Sequence, residues 1–264
     1  NDLLQSVITA VYPMLKTDLG INFTQIGLIT LVYQLAASIF QPVVGYVFDK
    51  RPFVWSLPAG MISTSVGIVL LAYSNSLAGV LLAVFMVGLG SATLHPEASR
   101  ITSLAGHERR GFAQSVFQVG GNFGGSIGPL LVALIVAPHD RRYIMWFLLF
   151  AGLCFWAMRP ICRWYRGYLN SLKQAERRRE SHAALPLSRG MTIFTICVII
   201  ILIFSKYIYM ASLSSYYTFY LIDKFGVTVS QSQIFLFVFV VSTAAGTLVG
   251  GCLLYTSPSP RDRG

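Results

Sequence analysis

Residues 77–100 read LAGVLLAVFMVGLGSATLHPEASR. Leu77 to Leu94 carry no charge and come close to the roughly 20 apolar residues that a helix needs to cross a bilayer. The run is closed by His95, Glu97 and Arg100. A charge at bilayer depth costs about 3 kcal/mol even on lenient insertion scales, so such groups pair with one another or face a wet cavity. The stretch therefore makes two statements at once. Its solvent is lipid, and something polar waits at its end.

The rest of the chain repeats the first statement. Of its 264 residues 55% are hydrophobic and 11% charged, with a mean hydropathy of +0.64, too apolar for an ordinary water-soluble domain. Apolar runs recur at Ile26 to Phe48, Val54 to Ala72, Phe112 to Ala137, Tyr143 to Met158, Met191 to Leu221 and Ile234 to Leu254, and Asn1 to Leu15 reads as part of another. These runs lack the polar alternation of a barrel strand, so they predict an all-α membrane protein of eight helices, the first incomplete.

The net charge of +10 is a matter of topology. Assigning loops alternately to two sides puts Lys50, Arg51, Arg100, Arg109, Arg110 and the bases between Arg159 and Arg189 on one face. Only Lys16, Arg141, Arg142 and Lys224 fall on the other. The positive-inside rule makes the richer face cytoplasmic. No recognition motif accompanies the bases, so no nucleic-acid partner is expected. Cys154, Cys162, Cys197 and Cys252 lack metal or redox spacing and read as packing residues; no metal and no cofactor are expected.

The long polar connection 159–190 divides the chain. Residues 1–158 form an N-terminal six-helix bundle with a truncated first helix, 159–190 a basic cytoplasmic linker, and 191–251 helices seven and eight. The linker reads as an orientation determinant and tether, with contact to anionic lipid heads as the alternative. Asn1 stands where a methionine is expected, and Asp2 where a helix should already be under way. The tail CLLYTSPSPRDRG, 252–264, is expected to be non-native, which would make the chain a fragment.

Three constellations carry chemistry. Gly45 to Pro52, GYVFDKRP, places Gly45 for close helix contact and then Asp49 beside Lys50 and Arg51 at the cytoplasmic interface, a natural charge latch. In QSVFQVGGNFGGSIGPLL, 114–131, Gly120, Gly124 and Gly128 recur at four-residue spacing, as do Gly121 and Gly125, and leave a smooth face, which Pro129 allows to bend. Gln114, Gln118 and Asn122 add a polar stripe suited to a wet cavity. The third is a set of buried ionisable groups, Asp2, His95, Glu97 and Lys206, on the first, fourth and seventh spans. Glu97 and Arg100, three apart, can pair, either as a structural ion pair or as part of a proton-coupling site. Asp2 precedes Gln5 by three. Lys206 lies in FSKYIYMASLSSYYTFYL with Tyr209, where a cation calls for an anion.

These residues carry a resemblance. GYVFDK is similar to the G-x-x-x-D-[RK] loop motif of the major facilitator superfamily, without the G-R-[RK] that usually follows. GGSIGP is similar to the antiporter motif of its drug/proton antiporters. NDLLQSVITAVYPML, QLAASIFQPVVGYVFDK with Gln34, WSLPAGM and HPEASR, with the two blocks above, resemble the branch that exports fosmidomycin-type phosphonate drugs. The resemblance implies twelve helices in two six-helix halves, a substrate cavity between them, and alternating access in the bacterial inner membrane, with a small anionic substrate and protons as partners. Asp2 and Glu97 are then proton-coupling candidates. Gln5, Gln34, His95, Arg100, Gln114, Gln118, Asn122, Lys206 and Tyr209 are cavity candidates, and a monomer is expected. Uptake of an organic anion remains the alternative within transport. A membrane enzyme or receptor is the alternative outside it, disfavoured because no nucleophile with an oriented base is present.

Overall fold

The computed structural model describes residues 1–136, 138–176 and 189–226, together with 235, 238–239, 242–243, 245–250 and 252–253. Every regular element among them is helical, as the apolar runs require. The first span consists of α1 (Asp2–Ala10) and α2 (Tyr12–Leu19), interrupted at Val11. The break is local chemistry: Pro13 stands in the first turn of α2, where its missing N–H leaves no helical bond unmade. Then follow α3 (Phe23–Lys50), α4 (Ser56–Tyr73), α5 (Leu77–Gly106), α6 (Arg110–Leu131), α7 (Leu148–Glu176) and α8 (Arg189–Phe225).

Short connections are sealed by caps. At the start of α3 the Asn22 side chain accepts from Gln25 N at 2.9 Å, and Gln25 Oε1 accepts from Asn22 N at 2.8 Å, a reciprocal capping box. Ser76 Oγ accepts from Gly79 N at the start of α5. Between α6 and α7 the chain passes through a π-helical turn, Val132–Val136, and a 3-10 segment, Arg141–Phe147. The π turn follows Pro129 directly, where the regular bonding ladder has already lost a donor.

Two units are distinguished, residues 1–171 with 244–264, and residues 172–243. The first holds the spans in which helices approach backbone to backbone. A Cβ on Gly67 of α4 would lie 2.7 Å from Ala83 O of α5, and one on Gly88 of α5 would lie 2.8 Å from Tyr33 O of α3. Such contacts suit helices that gain little from apolar burial in lipid and must pack by close van der Waals fit. At Gly45, where a close contact was expected, nothing among the described residues lies within 4 Å of the Cβ position. Ile68, Leu71, Val80, Val84 and Val87 fill the interior. Ile62, Leu82, Leu130, Leu149, Leu153 and Trp156 point outward and exposed, a surface that water would not tolerate at this density.

Five of the described helical segments are long and apolar enough to cross a membrane, from Phe23–Lys50 to Arg141–Ser171. Their ends sort as the charges do. Arg141 meets Ser74, Asn75 and Asp18 at one end, and Arg100 meets Asp49 at the other. Two helices outrun their apolar runs. α5 continues past Leu94 to Gly106, so His95 to Arg100 lie within it. α7 continues past Met158 through Pro160 to Glu176, so the polar stretch from Arg159 begins as helix. Residues 177–188 of the linker, parts of the eighth span and the tail from 254 lie outside the described residues.

Candidate functional site

The consecutive residues His95, Pro96 and Glu97 project from α5 in different directions, and each ionisable group finds its own surroundings. His95 turns toward α1, where its Nε2 lies 3.4 Å from Asp2 Oδ1. Both side chains are about one-third exposed, at 35% and 30%, because they border a cavity of about 430 Å³ within the first unit. Side chains from α1, α4, α5, α6 and α7 line it, among them Met61, Leu94, Phe117 and Met158. The lining is mostly apolar carbon, and Asp2 and His95 are its acid and base.

Why Asp2 can stand there is read from α6. A Cβ on Gly121 would lie 2.5 Å from Asp2 Oδ2, one on Gly124 3.4 Å from Leu3 N, and one on Gly128 2.8 Å from Leu3 O. Gly121, Gly124 and Gly128 form the stripe that admits α1. Gly120 lines the cavity with nothing within 4 Å of its Cβ position, and Gly125 is equally open. Spacings of three and four stay on one face of a 3.6-residue helix, whereas steps of four alone drift around it. The contact face takes Gly121 from one of the two four-residue series and Gly124 and Gly128 from the other, while Gly120 and Gly125 fall outside it.

Glu97 turns the other way. It is 2% exposed, and its Oε2 lies 3.7 Å from Arg100 Nη1. Ser56 of α4 and Tyr165 of α7 interact with the same carboxylate. Yet Glu97 Oε1, Ser56 Oγ and Tyr165 OH are each buried without a partner at hydrogen-bond geometry among the described residues. Arg100 Nη1 also donates to Phe48 O at 2.9 Å and lies 3.6 Å from Asp49 Oδ1. The acid of the GYVFDK motif is therefore held by Arg100 across the α3–α5 contact. Lys50 instead sits over the Tyr46 ring at 4.4 Å.

The other candidates divide between cavity and scaffold. Gln5 Oε1 accepts from Tyr33 OH at 2.6 Å and ties α1 to α3. Gln114 Nε2 donates to Ser99 O and Ser103 Oγ, both at 2.7 Å, and joins α6 to α5. Gln34 and Gln118 are exposed on α3 and α6, and Asn122 is half-buried, its carbonyl accepting from Ser126 Oγ at 2.8 Å. Neither these five nor Arg100 is among the residues that line the cavity. Pro129 is exposed on α6 just before the π turn. Lys206 and Tyr209 lie on α8 in the second unit; Tyr209 is exposed, and the Lys206 side chain is outside the described residues.

Ser56 and Tyr165 escaped the sequence reading. A serine at a helix start and a tyrosine in the basic run RWYR carry no signal of their own, since only the packing of α4 and α7 on α5 puts them against Glu97. Among the described residues no group of three His, Cys, Asp or Glu side chains could hold a metal ion.

Comparison with known proteins bears on what this cavity serves. The Major Facilitator Superfamily profile matches residues 1–262. The chain is 49% identical over 253 residues to the fosmidomycin resistance protein of Escherichia coli (strain K12), covering 95% of this chain and 61% of that protein. It is 39% identical to the uncharacterized MFS-type transporter YfnC of Bacillus subtilis (strain 168), covering 96% and 62%. It is 28% identical over 158 residues to the hexuronate transporter of Escherichia coli (strain K12), covering 59% and 36%. The chain thus spans about three fifths of the length of the first two relatives.

Proposed function

Because the chain belongs to the major facilitator superfamily, we propose that it provides the cavity and the cytoplasmic latch of a secondary transporter in the bacterial inner membrane, one that exports a small anionic drug of the fosmidomycin type against protons by alternating access. The observation that carries this reading is the Asp2–His95 pair on the cavity wall. A protonated His95 attracts an entering oxyanion, and Asp2 competes with that anion for the same imidazolium. The apolar remainder of the wall excludes water and strengthens both interactions.

The proton acts on the opposite face of the same helix. With Glu97 ionised, Arg100 is shared between Glu97 and Asp49, as the 3.7 and 3.6 Å separations describe. A proton on Glu97 removes one claimant and leaves Arg100 to Asp49 and Phe48 O, which tightens the hold of α5 on the end of α3. Ser56 and Tyr165 lie where they can meet the new carboxyl O–H. Pro96 stands between His95 and Glu97 and frees a backbone carbonyl, so the two faces are joined by a turn of α5 that lacks one helical hydrogen bond. The proton thereby biases one arrangement of the helices, and the anion at His95 biases the other. The carrier works as a monomer, since cavity and latch come from one chain.

The same pair admits uptake of an organic anion as the second reading, and which carboxylate takes the proton decides between the two. A proton placed on Asp2 rather than Glu97 frees His95 for the anion, so that proton and solute enter together. Measuring drug accumulation in cells with and without the full-length protein tests the choice. Lower accumulation with the protein present supports export, and higher accumulation overturns it in favour of uptake.

A further inference from the structure

At the end of the first unit opposite the Asp49–Arg100 latch lies a second cavity, of about 500 Å³, lined by Asp18, Tyr73, Asn75, Asp140, Arg141 and Arg142 among others. Its character is the reverse of the first, polar where the other is apolar. Arg141 opens the 3-10 segment before α7 and is 6% exposed, a burial that a guanidinium tolerates only when its donors are met. They are met in part. Nη2 donates to Ser74 O and reaches Asn75 Oδ1 at 3.5 Å, which holds the group against the end of α4. Nε lies 3.8 Å from Asp18 Oδ2, too far for a hydrogen bond, and both Nε and Nη1 are buried without a partner.

We propose that this outer cavity binds a small tetrahedral oxyanion, a phosphonate or phosphate group, against the Arg141 guanidinium, with Arg142 supplying a second positive charge. The fixed guanidinium is pre-organised by Ser74 and Asn75, so an arriving oxyanion gains charge-assisted bonds without ordering the side chain. Asp18 and Asp140 balance the two arginines when the cavity is empty. Asp18 is the competitor, because it leans toward the same guanidinium without closing on it. A free solute and a lipid headgroup both present this chemistry. The inference does not rest on the transport reading: the site lies away from Asp2, His95 and Glu97, and its test is binding alone.

The test is titration of the full chain in maltoside micelles, followed by phosphorus-31 line broadening. One arm uses methylphosphonate and inorganic phosphate, and the other dihexanoyl phosphatidylglycerol. Saturable binding of at least one probe is expected. The titration is run in the His95→Gln background, where the cavity of Asp2 has lost its base and only the outer site is read. There Arg142→Gln, a change to an exposed side chain, should weaken binding severalfold and Asp18→Asn should tighten it severalfold. The arm that saturates identifies the source of the phosphate or phosphonate group. Absence of saturable binding in both arms in that background, affinity unmoved by Arg142→Gln, or affinity unmoved or weakened by Asp18→Asn would each overturn the site.

Discussion

Glu97 is the residue whose surroundings constrain it most. Its carboxylate has one ionic partner at 3.7 Å and an unpartnered oxygen in a buried site. Glu97→Gln keeps the shape and removes the titration. In the full-length protein it should abolish the dependence of efflux on a proton gradient while leaving membrane insertion intact. Vesicle transport with and without an imposed gradient checks this, and normal gradient-driven efflux by the variant would remove Glu97 from coupling. Asp49→Asn acts one step away. Arg100 would keep Phe48 O and Glu97 but lose its carboxylate on α3, and because Asp49 is largely exposed the stability change should stay within about 1 kcal/mol. Transport rate rather than melting temperature should therefore respond.

At the scale of the element, the glycine face of α6 separates packing from lining. Gly128→Ala puts a methyl against Leu3 O and Ser6 Oγ and should destabilise the detergent-solubilised protein by about 1–3 kcal/mol. Gly120→Ala meets nothing within 4 Å and should leave stability unchanged or slightly raised, by helix propensity alone. Thermal unfolding of the two variants side by side checks the contrast, and equal losses would contradict the assignment of the stripe. Which glycines pack was only half legible in the sequence. The motif shows small residues, but the direction of a helix face depends on where α1 lies. Through the first seven spans, among the described residues, helix existence was legible, because apolar runs of this length have few other solutions. Helix ends were less so: α5 and α7 outrun their apolar segments, since ion pairs such as Glu97–Arg100 and stacked rings such as Trp164–Tyr168, 5.7 Å apart, continue a helix into polar surroundings.

For the whole molecule, the alternation of basic loops and the meeting of helix ends give one topology. Single cysteines placed at the Asp49–Pro52 turn and at Asn75, in a background without the native cysteines, should label from the cytoplasmic and external sides respectively. Both labelling from one side would break the antiparallel order. Tertiary partnership is what the chain does not display in one dimension. Asp2 and His95 were each visible as charges out of place, and the sequence grouped them by span, yet the 3.4 Å between them arises from the glycine face of a third helix. Arg141 was legible only as a topological charge, and its burial follows from the ends of α2 and α4 closing around it.

Fosmidomycin binding to the full-length protein, compared between wild type, His95→Gln and Asp2→Asn across pH, tests most directly whether the anion meets that pair. His95→Gln should lose at least about tenfold in affinity, equivalent to roughly 1.4 kcal/mol. Asp2→Asn, with the competing carboxylate gone, should bind at least as tightly as wild type. Wild-type affinity in His95→Gln would place the drug elsewhere and contradict the account.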